Sequence, residues 1–370
     1  MSVASLLLTM AVYALIPVMP RWLMEVENFT PVEAGRSMGV FGLGLYLFGA
    51  TCSWMVQRYR RNVVCMWAMM GVAVDIALLW YIDGLRSEFV EFWIIMVQRF
   101  LLGATFGLAQ MVLSSTLIID TCESFQRTEA NHSATWFARL ALALGPWAGL
   151  LAHEFYGFDG VVLGATALAL LALLLVKTVT FPFRTPEEDV HVASLDRFFL
   201  THGFVLFINL LAVSTVIGLL LALTPSTDFY AWLMGGLLLA LLARRFVFRD
   251  AELKSEVITG LFLLIAALLI LLVYPASPFA PVFVGISVGI IGSRFLLFFI
   301  KLSRHCQRGT SQSTYFLGWE SGLALGLAVG YAFFYGERTL LLITALVLSA
   351  GALLMYHFFT HQWFITHKNR

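Results

Sequence analysis

The sequence predicts an all-α membrane protein with twelve transmembrane helices in two pseudo-symmetric six-helix bundles. Three observations predict it. Of 370 residues, 60% are apolar and 12% charged, where an ordinary globular chain carries about 25% charged residues. Apolar runs of about 18 or more residues, the length a bilayer-crossing helix needs, recur from end to end. The two halves also echo each other at one fixed offset. The 45 charges (23 basic, 22 acidic) are too few and too clustered to cover a soluble fold of this size. A net charge of +1 gives no basic field for nucleic acid. Cys52, Cys65, Cys122 and Cys306 stand far apart without CxxC or CxxH spacing, so neither a zinc site nor a disulfide framework is expected.

The elements follow from the apolar runs and their polar breaks. Span one, 2–23, has no positive leading segment and no small-residue cleavage site, and reads as a retained helix. Asn28-Phe29-Thr30-Pro31 separates it from span two, 36–56, and Arg58-Tyr59-Arg60-Arg61 leads into span three, 63–82. After Asp83-Gly84 comes span four, 90–118, long enough to run past the membrane. Spans five and six, 132–152 and 160–181, are joined by Gly157-Phe158-Asp159-Gly160. The longest break holds Pro182, Pro186 and Glu187-Glu188-Asp189. It divides the chain into an N-terminal bundle (1–181), a cytoplasmic linker (182–201) and a C-terminal bundle (202–370). The second set reads 202–223, a short 230–246, 256–274, 280–300, 314–335 and 339–359, with Gly336-Glu337-Arg338 as the last break.

Orientation follows from the basic residues. Sixteen, from Arg58, Arg60 and Arg61 through Arg127, Arg184 and Arg249 to Lys368 and Arg370, fall on one side; only Arg21, Arg36, Arg86 and Arg338 fall on the other. The positive-inside bias predicts both termini in the cytoplasm of a plasma membrane, the inner membrane if the source is bacterial.

At an offset of 181, Gln126-Arg127 matches Gln307-Arg308 and Leu142-Ala143-Leu144-Gly145 matches Leu323-Ala324-Leu325-Gly326. On the same offset Ser133 meets Thr314 and Arg139 meets Glu320. A duplication with a midplane site between the halves is an architecture that many transporters use.

Motifs in the N-terminal half carry a family resemblance. Pro17-Val18-Met19-Pro20 resembles the PVxP signature of the twelve-helix drug–proton antiporters of the major facilitator superfamily. Arg99-Phe100-Leu101-Leu102-Gly103 resembles that superfamily's RxxxG element, and Gly145-Pro146-Trp147-Ala148-Gly149 the GPxxG core of its antiporter motif. Arg60-Arg61 matches the end of its loop motif between helices two and three. The resemblance implies a gating role for Pro17, Pro20, Gly103, Gly145, Pro146, Gly149, Arg60 and Arg61. There are departures. The loop motif has Cys52 and Tyr59 where its glycines belong and Val56 where its acid belongs, so the family's acid–arginine latch cannot form there in its usual way. The antiporter motif ends in Leu150 instead of a second glycine, and Ala11 replaces the glycine that leads PVxP.

Five charges remain inside the spans: Asp75, Arg99, Arg139, Arg294 and Glu320. A charge at the bilayer centre costs at least ~2.5–3.5 kcal/mol, so each should face a partner or a wet cavity. Asp75 and Arg99 lie at similar depth, ~10–14 Å below the outer surface at 1.5 Å per residue. Arg294 and Glu320 are level near the inner ends of spans ten and eleven. Two ion pairs are therefore expected, Asp75–Arg99 and Arg294–Glu320, each either a lock between helices or part of a proton path. Arg139 has no level partner in its own half; it faces Glu320 or holds an anionic substrate group. Arg99 shares one helical face with Gly103, Phe106 and Gln110, the pattern of a cavity-lining stripe. Gly318, Gly322, Gly326 and Gly330 suit close helix packing, and Glu320 points away from that stripe. Trp319 reads as an apolar filler or as an aromatic wall. Tyr13, Gln110, Asn209 and Ser287 complete the cavity candidates.

Glu320, Asp75, Arg99 and Arg294 are thus the candidates for proton coupling. Gly285-Ile286-Ser287-Val288-Gly289 matches GxSxG but lies inside an apolar span, where a nucleophile elbow has no strand-to-helix turn to sit on. With no HExxH, Walker or dinucleotide loop, an enzyme, a cofactor and a metal are not expected. The expected activity is proton-coupled efflux of a small organic solute by alternating access, carried out by a monomer in the lipid bilayer. The alternatives are a proton-coupled importer of a small polar metabolite and a non-transporting receptor or scaffold.

Overall fold

The computed structural model describes residues 1–84, 92–118, 127–181, 190–246, 252–304 and 307–368. Arg86, Cys122, Gln126, Arg184, Arg249, His305, Cys306, Arg370 and the acidic run of the linker lie outside the described residues. Among those described, every regular element is helical.

The expected first span is broken. Helix α1 (Ser2–Tyr13) ends before Pro17, and α2 (Met19–Glu25) begins after Val18. Proline cannot donate to the turn before it, which accounts for the interruption. The second span is also bent. Helix α3 (Pro31–Gly44) opens on a capping box in which Thr30 and Glu33 satisfy each other's backbone, and it meets α4 (Gly49–Arg58) at 43°. Helices α5 (Arg61–Gly84) and α6 (Phe92–Val112) follow, the latter continued by a π turn over Leu113–Leu117. Helix α7 (Arg127–Lys177) joins the fifth and sixth expected spans, with Gly157 at φ +69° as the break between its arms. The left-handed region costs a glycine nothing.

The second half holds α8 (Phe204–Ala222), α9 (Thr227–Phe246), α10 (Leu253–Val273), α11 (Phe279–Leu302), α12 (Arg308–Phe334), α13 (Arg338–Met355) and α14 (His361–His367). By length and apolarity, eight of the described helices can cross a membrane, or nine with the bent α3–α4 pair as one span. The expected twelve is not returned. Span one is split into pieces too short to cross, α9 is short, and α7 contains two expected spans.

Contacts repeat in the order of the duplication. Helices α3 and α5 pack on α6 as α9 and α10 pack on α11, and α1 packs on α7 as α8 packs on α12. The two most extensive crossings between halves among the described residues, α3 on α12 and α9 on α7, exchange under the same relation. Small residues make the crossings close. A Cβ on Gly35 would lie 2.6 Å from the Ala328 carbonyl, and one on Gly42 would lie 2.8 Å from the Ala324 methyl. The glycine stripe of α12 faces α8, where Gly318 meets Phe207 and Leu210, and Gly322 meets Ser214. The GxSxG string sits inside α11, with Gly285 against the α9 backbone and Gly289 against Trp136 and Ala240.

Candidate functional site

The five charges inside the spans do not pair as their depths predict. Arg294 is bound instead to Glu256, in the first turn of α10, through both Nε and Nη2. Glu256 was missed because its place at a helix start resembled loop chemistry. Asp75 accepts from the Thr105 hydroxyl at 2.9 Å, and its backbone carbonyl accepts from Gln98 at 2.8 Å. Arg99 points to α3, with Nη2 3.7 Å from the Met38 sulfur and its guanidinium 5.2 Å from the Phe41 ring centre. Neither expected ion pair forms. Level depth brings two residues to the same height, but the packed face of each helix decides which way they point.

The same packing divides the Arg99 stripe. Gly103 lies against the Phe41 backbone, so the part of that face carrying Arg99 is applied to α3. Phe106 is fully buried between the rings of Phe41 and Phe316, at 5.9 and 5.7 Å. Only Gln110, at the far end, reaches the cavity. It is held there by Ser5 and Thr9 of α1, at 3.1 and 2.8 Å. Asn209 donates to the Ala352 carbonyl at 3.1 Å and ties α8 to α13, away from the cavity. Ser287 is fully buried, and its hydroxyl makes no hydrogen bond among the described residues.

Tyr13, Gln110, Arg139, Trp319 and Glu320 do come together, around a cavity of about 70 Å³ that also includes Gln312 and Tyr315. Helix α1 supplies Tyr13 at its last residue, just before the proline-broken turn. The first arm of α7 brings α1 close, since a Cβ on Gly145 would stand 2.8 Å from the Tyr13 Cβ, and Gly149 touches the Ala14 carbonyl. Pro146 of the same arm leaves the carbonyl of Leu142 without its helical donor. The GPWAG element therefore meets the chain at Tyr13 and Ala14, three residues before the PVMP element begins. From the opposite side α12, seated on α8 by its glycines, turns Glu320 inward. The Tyr13 hydroxyl donates to Glu320 Oε1 at 2.6 Å, a hydrogen bond between residues 307 positions apart.

Arg139 is 4% exposed, and no carboxylate among the described residues holds it. Its Nε and Nη2 donate to the Tyr315 hydroxyl at 3.4 and 3.2 Å, and Nη1 has no partner among the described residues. The guanidinium lies 5.3 Å from the Trp136 ring centre and 5.9 Å from that of Tyr315. Gly292 gives it room, because a Cβ there would fall 2.5 Å from Nε. Tyr315 and Trp136 had no sequence signal beyond being aromatic in an apolar run. Among the described residues no His, Cys, Asp and Glu cluster is placed to hold a metal ion.

The Major Facilitator Superfamily profile matches residues 1–327 of the chain. The chain belongs to that superfamily. It is accordingly an integral membrane protein of a transporter family and not an enzyme. No curated protein sequence matches it. Solved structures with the same fold include the human organic anion transporter MFSD10 (TETRAN), with a TM-score of 0.67 at 16% identity over 96% of this chain and 97% of that one. An auto-inhibited peptide transporter of the POT family gives 0.67 at 10% identity, over 100% and 96% of the two chains. A point mutant of the nucleoside transporter NupG gives 0.68 at 10% identity, over 96% and 98%.

The loop motif is one place where the sequence departs from the superfamily's pattern. Val56 stands where the loop acid belongs, and it is buried. An acid of the linker reaches α4 close to that loop. Asp196 accepts from Ser53 of α4 at 3.2 Å and from Thr310 in the first turn of α12 at 3.0 Å. Next to it, the Arg197 backbone donates to Thr310 at 2.8 Å, and the Arg197 side chain to Thr116 at 3.2 Å. The linker thereby touches elements of both halves at one rim. Arg60 and Arg61 lie at the junction of α4 and α5.

Proposed function

We propose that this superfamily member is a secondary active transporter that moves a small organic solute by alternating access and is coupled to protons. In this reading α7 supplies two spans and the broken α1–α2 and bent α3–α4 pairs one each, making twelve in two six-helix bundles joined by residues 182–201. Both termini face the cytoplasm of a plasma membrane, the working unit is a monomer, and the gating residues are those of the PVMP, GPWAG, RxxxG and double-arginine elements.

The observation that carries the reading is the Tyr13–Glu320 hydrogen bond. Its residues stand on elements of opposite halves, so rocking one half against the other must break it. A carboxylate left without that donor in a low-dielectric cavity is costly as an anion, and taking up a proton removes the cost. Proton loading of Glu320 and movement of the halves are therefore linked.

Efflux by exchange is supported by the resemblance of GPWAG and PVMP to antiporter motifs. A second reading, co-transport inward, is favoured by Arg139. Once Glu320 holds a proton, the guanidinium is the only charge left among the described residues of the cavity wall, so proton and an anionic solute load together. Proteoliposomes holding a pH dye and challenged with a panel of small organic anions, cations and neutral solutes test both. Coupled flux changes the lumenal pH, and its sign separates exchange from co-transport. Glu320→Gln should abolish the pH change while solute counterflow persists. An unchanged pH signal in that variant would sink the assignment of Glu320.

A further inference from the structure

We infer that the solute is a monovalent organic anion with a flat ring, its carboxylate bound by Arg139 and its ring lying among the aromatic side chains of the cavity. This rests on the cavity being the transport site.

The inference starts from an imbalance of charge. A guanidinium does not lose its proton in proteins, so burial cannot be relieved by neutralising Arg139 as it can for a carboxyl. Buried charges are normally matched by a built-in counter-charge, as buried Glu256 and largely buried Arg294 match each other. Arg139 has only the hydroxyl of Tyr315 among the described residues, shared between two of its nitrogens, and its Nη1 is buried and unpartnered on the cavity wall. Glu320 forms no ion pair with Arg139, its Oε1 accepting from Tyr13 instead, and once it takes up a proton it carries no charge to balance the guanidinium. Among the described residues the site therefore lacks one acceptor, and a carboxylate supplies it as a short charge-assisted bond.

The rest of the wall sets the body of the ligand. Tyr315, Phe316 and Trp319 present aromatic rings from one stretch of α12, and Tyr13 adds a fourth. Such surfaces accept a planar apolar group. Gln110 and Gln312 offer neutral polar contacts beside the rings. A single unmatched cation among the described wall residues specifies a single negative charge, because a dianion would bring a second charge with nothing there to match it. A cationic solute would have to displace Tyr13 from Glu320 and would sit in the same cavity as Arg139.

The test is calorimetric titration of the purified full chain with three probes of one shape: 2-naphthoate, 2-naphthylmethanol and 2-naphthylmethylammonium. Naphthoate should bind at least tenfold more tightly than the other two. Arg139→Gln should weaken naphthoate by roughly ten- to a hundredfold, the range of a hydrogen bond to a charged group, and leave the alcohol unchanged. Should that variant fail to fold, Arg139→Lys keeps the charge and loses the planar fork, and a several-fold loss confined to naphthoate is expected. Equal binding of the alcohol or the ammonium, binding of none of the three, or full naphthoate affinity in an Arg139 variant that folds overturns the inference. Naphthoate binding through Arg139 without any solute flux in proteoliposomes would keep the anion site and refute transport. Flux of cations unaffected by Arg139→Gln would do the reverse.

Discussion

Arg294 on α11 is largely buried and Arg139 against α11 fully so, yet their surroundings differ in one respect. Arg294, on α11 itself, grips Glu256 of α10 with two nitrogens, so charge and counter-charge are both part of the fold. Arg139, on α7, is pressed against Gly292 of α11 between Trp136 and Tyr315, with no acid among the described residues bound to it. A matched pair has a function in packing alone, because breaking it exposes two costs at once. An unmatched cation beside a cavity leaves room for a charge to arrive and depart. The difference separates what holds the bundle together from what the transporter acts on.

The largest expected effect tests that separation directly. Arg294→Met leaves Glu256 buried without its cation, and removing one partner of a buried pair costs ~3–5 kcal/mol. Arg139→Met removes a buried charge to which no acid among the described residues is bound, so stability should hold or rise. Thermal unfolding of the two variants side by side in one detergent checks the contrast. A comparable loss in both would mean that Arg139 is as structural as Arg294. Pairing Arg294→Met with Glu256→Met should recover much of the loss, as hydrophobic replacement of whole buried pairs does elsewhere.

The cavity itself responds more mildly. Tyr13→Phe removes the donor to Glu320 while keeping the ring, and an unsatisfied buried acceptor costs ~1–3 kcal/mol. The same change should weaken coupling, because the bond that rocking must break is gone. Solute flux per proton in proteoliposomes measures this, and an unaltered ratio would detach Tyr13 from the proton step. Gly292→Ala should cost a similar ~1–3 kcal/mol by overpacking and should displace Arg139, which calorimetry with 2-naphthoate reads as weaker binding.

These contrasts also mark what was legible beforehand. Composition and run length gave the helical membrane class. The offset of 181 matched Arg139 with Glu320, and the two stand on the wall of one cavity. The direction of Glu320 was readable because the glycine stripe of α12 announces its packed face. The same clue was present for Arg99, where Gly103 marks the face applied to α3, but the stripe read as cavity lining because nothing in the sequence distinguishes a polar face from a packed one that contains an arginine. Partner choice was the least legible quantity. Depth along a helix follows from counting residues, whereas rotation about its axis is set by neighbours not adjacent in the sequence. Arg294 therefore found Glu256 on α10, and Glu320 found Tyr13 on α1.

The smallest effect is the one expected to vanish, and it concerns the other pair that depth suggested. Asp75 is served by Thr105, and Arg99 faces Met38 and Phe41 on a different side of α6. Each single change, Asp75→Asn or Arg99→Gln, should alter stability through its own surroundings. Their coupling in a double-mutant cycle should stay within the ~0.3–0.5 kcal/mol typical of independent sites. A true ion pair inside the bundle would couple far above that range. Chemical unfolding of the four proteins of the cycle decides it, and strong coupling would restore Asp75–Arg99 as a lock and place a second matched pair in the half of the molecule opposite Arg294 and Glu256.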